Sequence, residues 1–419
     1  MISFRRHILP NGLRIIHHYD GSTKMTALNL LYDVGSKDES PERTGFAHLF
    51  EHLMFGGSVN IPDFDTPLQK AGGENNAWTS NDVTNYYTVV PTHNAETAFW
   101  LESDRMLSLA FSSESLSVQK QVVIEEFKQR NLNQPYGDSF LLLRPMAYRV
   151  HPYRWPVIGK NTSHIGNASL EEVKEFFFAH YAPNNAILSI SGSLPFDEAI
   201  LLCEKWFAPI SRREVACRDL PQEPVHKKIV EREVPLDAIF KAYHMVDRKH
   251  PDYQGYDALS DVLASGRSSR LYRRLVMEKK LFTEIDSSIT GDIEPGLFLL
   301  KGKLSPGISL EQGEEAIEME LRRMREELLE QRELDKVINR FESNDLFSNL
   351  HYLNKATNLA YYELLGGAEN IDTEVEKYKK LTPFDLRRIA EKLFVPENSS
   401  TLWYKSVHAK REIITDVSD

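Results

Sequence analysis

The sequence predicts an α+β protein of two homologous domains, each a mostly antiparallel sheet with helices packed on one face. Three observations predict it. The 419 residues are too many for one ordinary core and suit two domains. Residue patterns of the first half recur in the second at a nearly constant offset. Strands and helices mix within each half without the regular βαβ alternation of a parallel sheet.

The elements follow in order. Leu28–Asp33 reads as a strand, Gly35-Ser36 as a turn, and residues 42–55 as a helix ending at Gly56-Gly57. In the second half Ile239–Val246 reads as a strand, followed by a loop with Pro251 and a helix from about Gln254 to Gly266. Gly45-Phe46 falls on Gly255-Tyr256, Leu49 on Leu259, Glu51 on Asp261 and Gly56 on Gly266, an offset of about 210 residues. Tyr181-Ala182-Pro183-Asn184-Asn185 falls on Phe394-Val395-Pro396-Glu397-Asn398 at nearly the same offset. The joint is expected across 209–233, a charged stretch with Pro221 and Pro224, dividing the chain into domains 1–215 and 216–419. The charged run 310–345 reads as a long helix with a solvated face.

Composition narrows the function. A net charge of -11 disfavours nucleic acid, which calls for a basic patch. No window approaches a membrane-spanning length of apolar residues, and Met1-Ile-Ser-Phe-Arg-Arg lacks the apolar core of a signal peptide. A cytoplasmic protein is the simplest expectation, with a periplasmic or secreted one following if a signal has been removed. Two cysteines, Cys203 and Cys217, exclude a disulfide framework and read as free thiols.

Residues 48–52 are His-Leu-Phe-Glu-His. On a helix, positions i and i+4 stand one turn apart on one face, so both imidazoles can reach one zinc ion. Glu51 lies on the same side, the reverse order of the HExxH arrangement with similar mechanics. Phe46, Leu49, Phe50, Leu53 and Met54 cluster on the opposite face, so the helix would bury its apolar side and present the polar triad to a cleft. A catalytic zinc site needs a third protein donor and keeps a fourth position for water. Val122-Val123-Ile124-Glu125-Glu126-Phe127, on an expected helix from about Ser115, offers two carboxylates. Glu126 falls inside the apolar arc of Val122, Val123, Ile124 and Phe127, where a carboxylate needs a partner, and Glu125 falls outside it. Lys120 shares the arc.

With that motif, the chain resembles the pitrilysin/insulinase family of zinc peptidases, the inverzincins, to which the mitochondrial processing peptidase β subunit belongs. The family pattern places a ligand glutamate on a second helix some 75 residues after HxxEH, and Glu126 stands close to that spacing. Leu9-Pro10-Asn11-Gly12-Leu13, Gly72-Gly73 through Asn76-Ala77-Trp78-Thr79-Ser80, His151-Pro152-Tyr153, Pro183-Asn184-Asn185 and Ser268-Ser269-Arg270-Leu271 resemble further landmarks, so the likeness runs along the whole chain. The size resembles that of the small two-domain bacterial members, which pair to enclose a chamber.

The resemblance implies a metalloendopeptidase with one zinc ion per chain, held by His48, His52 and Glu126, with Glu51 as catalytic base. It implies that Asn76 and Ala77 lie on an edge strand that binds peptide by strand addition. Read from the residues alone, the alternative for those two is an ordinary buried strand after a Gly-Gly turn. Two departures bear on mechanism. Gln119 stands where the family often has a glutamate two turns before the ligand, an outer-shell position. Met277 and Glu284 stand where complete enzymes carry an Arg and a Tyr that bind substrate. The resemblance therefore implies a metal-bearing subunit whose paralogous partner supplies the Arg/Tyr pair in a heterodimer, a homodimer being the other arrangement. The rival reading is a non-catalytic scaffold subunit, which would be expected to have lost the metal motif.

Overall fold

The computed structural model describes residues 2–215 and 227–407. Cys217, Pro221 and Pro224, and with them residues 216–226 of the expected joint, lie outside the described residues.

Eleven strands form two sheets among the described residues. The first contains β1 (Arg5–Ile8), β2 (Arg14–Tyr19), β3 (Met25–Tyr32), β4 (Glu74–Thr79), β5 (Thr84–Pro91) and β6 (Ala186–Gly192), in the order β1-β2-β6-β3-β5-β4. The second contains β7 (Lys227–Arg232), β8 (Ala238–His244), β9 (Phe282–Ile289), β10 (Leu297–Leu304) and β11 (Ser399–Ser406), in the order β7-β11-β8-β10-β9. Remove the β1 hairpin strand and the two orders coincide, strand for strand. The directions coincide as well: β2 with β6 and β7 with β11 are the parallel pairs, and the other ladders are antiparallel. Helices Phe46–Leu53 and Tyr253–Ala264 follow the equivalent strands β3 and β8, and helices Leu170–His180 and Pro383–Leu393 precede β6 and β11. The fold is thus the expected pair of homologous α+β domains.

The chain packs into two units. The first comprises Met1–Phe127, Trp155–Asp219 and Asn344–Glu374, and the second Lys128–Arg154, Leu220–Ser343 and Val375–Asp419. Each unit therefore contains one segment from the other half of the sequence. In the first, Leu28, Leu30 and Tyr32 of β3 join the core with Phe46, Leu49 and Phe50, while Ala27 meets Ala356 of helix Tyr352–Leu365 on the other face. Asn29 exchanges side-chain hydrogen bonds with Asn85 (2.8 and 2.9 Å) and accepts one from Thr357 (3.0 Å) beneath that helix. In the second unit, Leu143, Met146 and Ala147 of helix Ser139–Ala147 pack with Ala238, Ala242 and Leu402. The two inserted helices are themselves repeat equivalents, at the offset of about 213 that also relates β5 to β10. The repeats have exchanged the helix that covers the second face of each sheet. That is why β3 reads as a nearly continuous apolar run: a strand covered on both faces loses its alternation.

The run 310–345 differs from expectation. It forms two helices, Leu310–Glu326 and Gln331–Ser348, separated where Glu327 turns to extended backbone. Each buries a stripe, through Ala316, Ile317, Leu321 and Met324 in one and Leu334 and Val337 in the other. A dense solvent face of Glu and Arg hid that stripe. Cys203 is buried, and burial pushes its thiol well above the usual range, as expected of an inert cysteine. Among the described residues no helix is long and apolar enough to cross a membrane.

Candidate metal centre

Two helices of the first unit build the site. Helix Phe46–Leu53 starts at Gly45, whose left-handed backbone (φ 92°) favours glycine. A Cβ there would also meet the Ile158 carbonyl oxygen at 2.9 Å. Phe46, Leu49, Phe50 and Leu53 are buried, with Phe50 stacked on Phe176 at 5.3 Å. That apolar anchorage turns His48 and His52 toward the second helix, Ser113–Phe127. Leu116, Val123 and Phe127 are buried on that helix, while Val122, assigned to the same arc from sequence, is 44 % exposed.

His48, His52 and Glu126 come together. One Glu126 carboxylate oxygen, Oε2, lies 3.5 Å from Nε2 of His48 and 3.5 Å from Nε2 of His52. The two imidazoles stand edge to face with centroids 4.9 Å apart, and a candidate ligand atom from each of the three residues lies within 4.8 Å of the others. Ligands bonded to zinc at 2.0–2.2 Å in a tetrahedron stand roughly 3.3–3.5 Å from one another. The two 3.5 Å separations match such edges, and two nitrogens plus one carboxylate form a donor set zinc accepts, so these residues fit the ion. Glu125 is exposed on the same helix and takes no part in this cluster.

Glu51 is half-buried, and its Oε2 accepts a hydrogen bond from Thr79 Oγ1 at 2.7 Å. Thr79 ends β4, which among the described residues pairs only with β5 and forms an edge of its sheet. Asn76 and Ala77 lie in the middle of that strand, and the Ala77 N–H donates to Asn76 Oδ1 at 2.8 Å. Gln119 is half-buried two turns before Glu126. In the second unit Met277 is 59 % exposed, and Glu284, on the edge strand β9, pairs with Lys303 at 2.8 Å.

Two residues near the site carried no role in the sequence reading. Thr79 was part of a landmark, and only the fold sets its hydroxyl against Glu51. Glu39 is fully buried and accepts from the Gly45 and Ala47 amides, at 2.9 Å each. Its signal was an acidic residue shortly before a helix whose N-cap glycine has no side chain to cap with.

The chain is similar to known proteins along most of its length. The description "Insulinase (Peptidase family M16)" matches residues 14–159, and "Peptidase M16 inactive domain" matches residues 167–341. The chain is 29% identical over 409 residues to a protein of Helicobacter pylori named zinc protease PqqE, covering 95% of this chain and 91% of that one. It is 23% identical over 267 residues to a protein of Arabidopsis thaliana named probable mitochondrial-processing peptidase subunit beta, covering 61% of this chain and 50% of that one. The crystal structure of a protease from Helicobacter pylori superposes with a TM-score of 0.88 at 27% identity, covering 97% of this chain and all of that one.

Proposed function

Because the chain belongs to the insulinase (peptidase M16) family, we propose that it is a zinc-dependent metalloendopeptidase and the metal-bearing subunit of a two-subunit enzyme. The observation that carries this reading is the convergence of His48, His52 and Glu126 on one point, with the Glu126 oxygen 3.5 Å from both imidazole nitrogens. In this reading those three residues hold one zinc ion. Zinc bound there would supply a Lewis acid and lower the pKa of water toward neutrality.

Glu51 is the general base. It takes the proton of the attacking water and returns it to the leaving amine. The Thr79 hydroxyl donates to one of its carboxylate oxygens, which fixes the side chain. The edge strand β4 binds the peptide by strand addition at Asn76 and Ala77. There the Ala77 N–H, now taken up by the Asn76 side chain, is positioned to pair with an incoming strand. Backbone pairing of this kind tolerates many side chains, which suits peptides and unfolded segments.

The rival scaffold reading draws on the match to the inactive domain. That match spans 167–341 and contains none of His48, Glu51, His52 and Glu126, whereas the residues matched as 14–159 contain all four. It bears instead on the second domain, where Met277 and Glu284 offer no Arg or Tyr. A partner with that pair would complete the enzyme. The relative from Arabidopsis, named as a subunit, supports such an assembly. Losing one donor to the developing oxyanion costs roughly 10²–10³ in rate.

The test is peptide cleavage by this chain alone, by a paralogous partner carrying the Arg/Tyr pair, and by the mixture, each with wild-type chain and Glu51→Gln. The expected result is weak activity alone, a gain of about 10²-fold or more on mixing, and loss of that gain with Glu51→Gln while zinc is retained. Full activity of the chain alone refutes the two-subunit reading. Near wild-type turnover of Glu51→Gln in the mixture refutes Glu51 as base.

A further inference from the structure

Helix Phe46–Leu53 is only two turns long, yet it places both histidines of the metal cluster. The first amides of any helix lack partners within it, and a side chain at the N-cap normally supplies one. Here the N-cap is Gly45, which has no side chain to offer. The acceptor comes from outside the helix. Glu39 Oε2 takes the Gly45 N–H and Oε1 takes the Ala47 N–H, both at 2.9 Å. Glu39 is 0 % exposed and the Trp155 indole also hydrogen-bonds to it, so its carboxylate is held inside the fold where it meets those amides.

The support for Glu39 is itself fixed. Its backbone closes a single turn, Ser36–Asp38, and the Trp155 indole N–H holds the Ser36 carbonyl at 2.9 Å. The neighbouring Thr44 is tied at its amide to His164 Nδ1 (3.1 Å) and at its hydroxyl to the Lys160 amide (3.0 Å). His48 follows Ala47 directly, while its counterpart Glu126 sits on a different helix. A small shift of the first turn would therefore move the His48 imidazole relative to Glu126.

Resting on the zinc reading above, we propose that Glu39 is a positioning residue for the metal centre: its carboxylate pins the first turn of the motif helix and so fixes His48 against Glu126. It touches neither metal nor substrate. Its role differs from that of the outer-shell groups that bond to the ligands themselves, because it acts through the backbone.

Three measurements on the full chain test this. Zinc affinity is read by competition with a chromophoric chelator, and ligand geometry by the visible absorption of the cobalt-substituted protein. Amide hydrogen exchange at Gly45 and Ala47 is read in the metal-free protein. Glu39→Gln keeps one acceptor, Glu39→Ala keeps none, and Glu42→Gln, at an exposed acid nearby, is the control. Outer-shell changes cost about 10–100-fold in metal affinity. The expected order of affinity is wild type, then Glu39→Gln, then Glu39→Ala, with a total loss in that range, an altered cobalt spectrum and the control unchanged. Variants that fold and bind with wild-type affinity and spectrum overturn the proposal. Should the variants fail to fold, rapid exchange of the Gly45 and Ala47 amides in the metal-free wild type still overturns it, and slow exchange supports it. A wild-type chain that takes up no zinc refutes the underlying metal reading instead, a distinguishable outcome.

Discussion

Glu125 and Glu126 are adjacent, chemically alike, and expected to differ sharply when each is changed to glutamine. Glu126 Oε2 lies 3.5 Å from each imidazole nitrogen, while the Glu125 side chain is exposed. Structural zinc held by four ligands is worth roughly 10–16 kcal/mol, so one ligand accounts for about 3 kcal/mol, or roughly a hundredfold in affinity. Glu126→Gln keeps a neutral oxygen in place but removes the only negative charge among the three proposed ligands. Its zinc affinity should fall by about a hundredfold or more. Glu125→Gln should stay within about threefold of wild type, since surface changes away from a site usually cost less than about 0.5 kcal/mol. The assay is chelator competition at fixed pH and ionic strength, with metal content by mass spectrometry after dialysis. Circular dichroism of both metal-free variants checks the fold. Wild-type affinity in Glu126→Gln, or a hundredfold loss in Glu125→Gln, would refute the assignment of the third ligand.

Two further perturbations probe the framework of the first unit. Arg105 and Glu102 form a buried pair (1 % and 0 % side-chain exposure) at 2.5 Å, so Arg105→Met strands a buried carboxylate; it should cost about 3–5 kcal/mol and lower Tm by roughly 10 °C, read by thermal denaturation. An unchanged Tm would show that the pair contributes no net stability. Burial raises the Asp38 carboxyl from 3.8 to about 6, so its neutral form favours the folded state. The associated stability is present below about pH 3.8 and is lost as pH rises through about 6. Asp38→Asn, which keeps an acceptor for the Gly35 amide, should therefore gain up to about 3 kcal/mol above pH 7 and almost nothing below pH 4. The check is the Tm difference between variant and wild type across that range, and a difference independent of pH would refute the shift.

Much of the candidate site was legible because it is local in sequence. The HxxEH pattern with an apolar stripe opposite is a property of a single helix, and the structure forms that helix over Phe46–Leu53. Glu126 was partly legible. The wheel of helix Ser113–Phe127 separated it from Glu125, although the same wheel wrongly placed Val122 inside. Thr79 and Glu39 were not legible as site residues. Their partners, Glu51 and the Gly45 and Ala47 amides, are reached by packing that no periodicity encodes.

The sequence by itself determined the duplication, since recurring glycines, prolines and apolar positions preserve the turns and core faces that each repeat needs. It also determined the helical placement of His48, Glu51 and His52, because the 3.6-residue period leaves one arrangement that buries Phe46, Leu49, Phe50 and Leu53. Only the tertiary structure decided how the repeats share their cover. Helices Ser139–Ala147 and Tyr352–Leu365 occupy equivalent places in the two halves, and each packs in the unit built mainly from the other half. Nothing in either helix records which sheet it will meet. Apart from β1, both sheets have the same strand order, and a small apolar face such as Ala356 can meet either copy. Chain connectivity and the full set of contacts select between them. The sequence therefore specifies two copies of a fold, and the packing of the whole chain makes the compact units differ from the repeats.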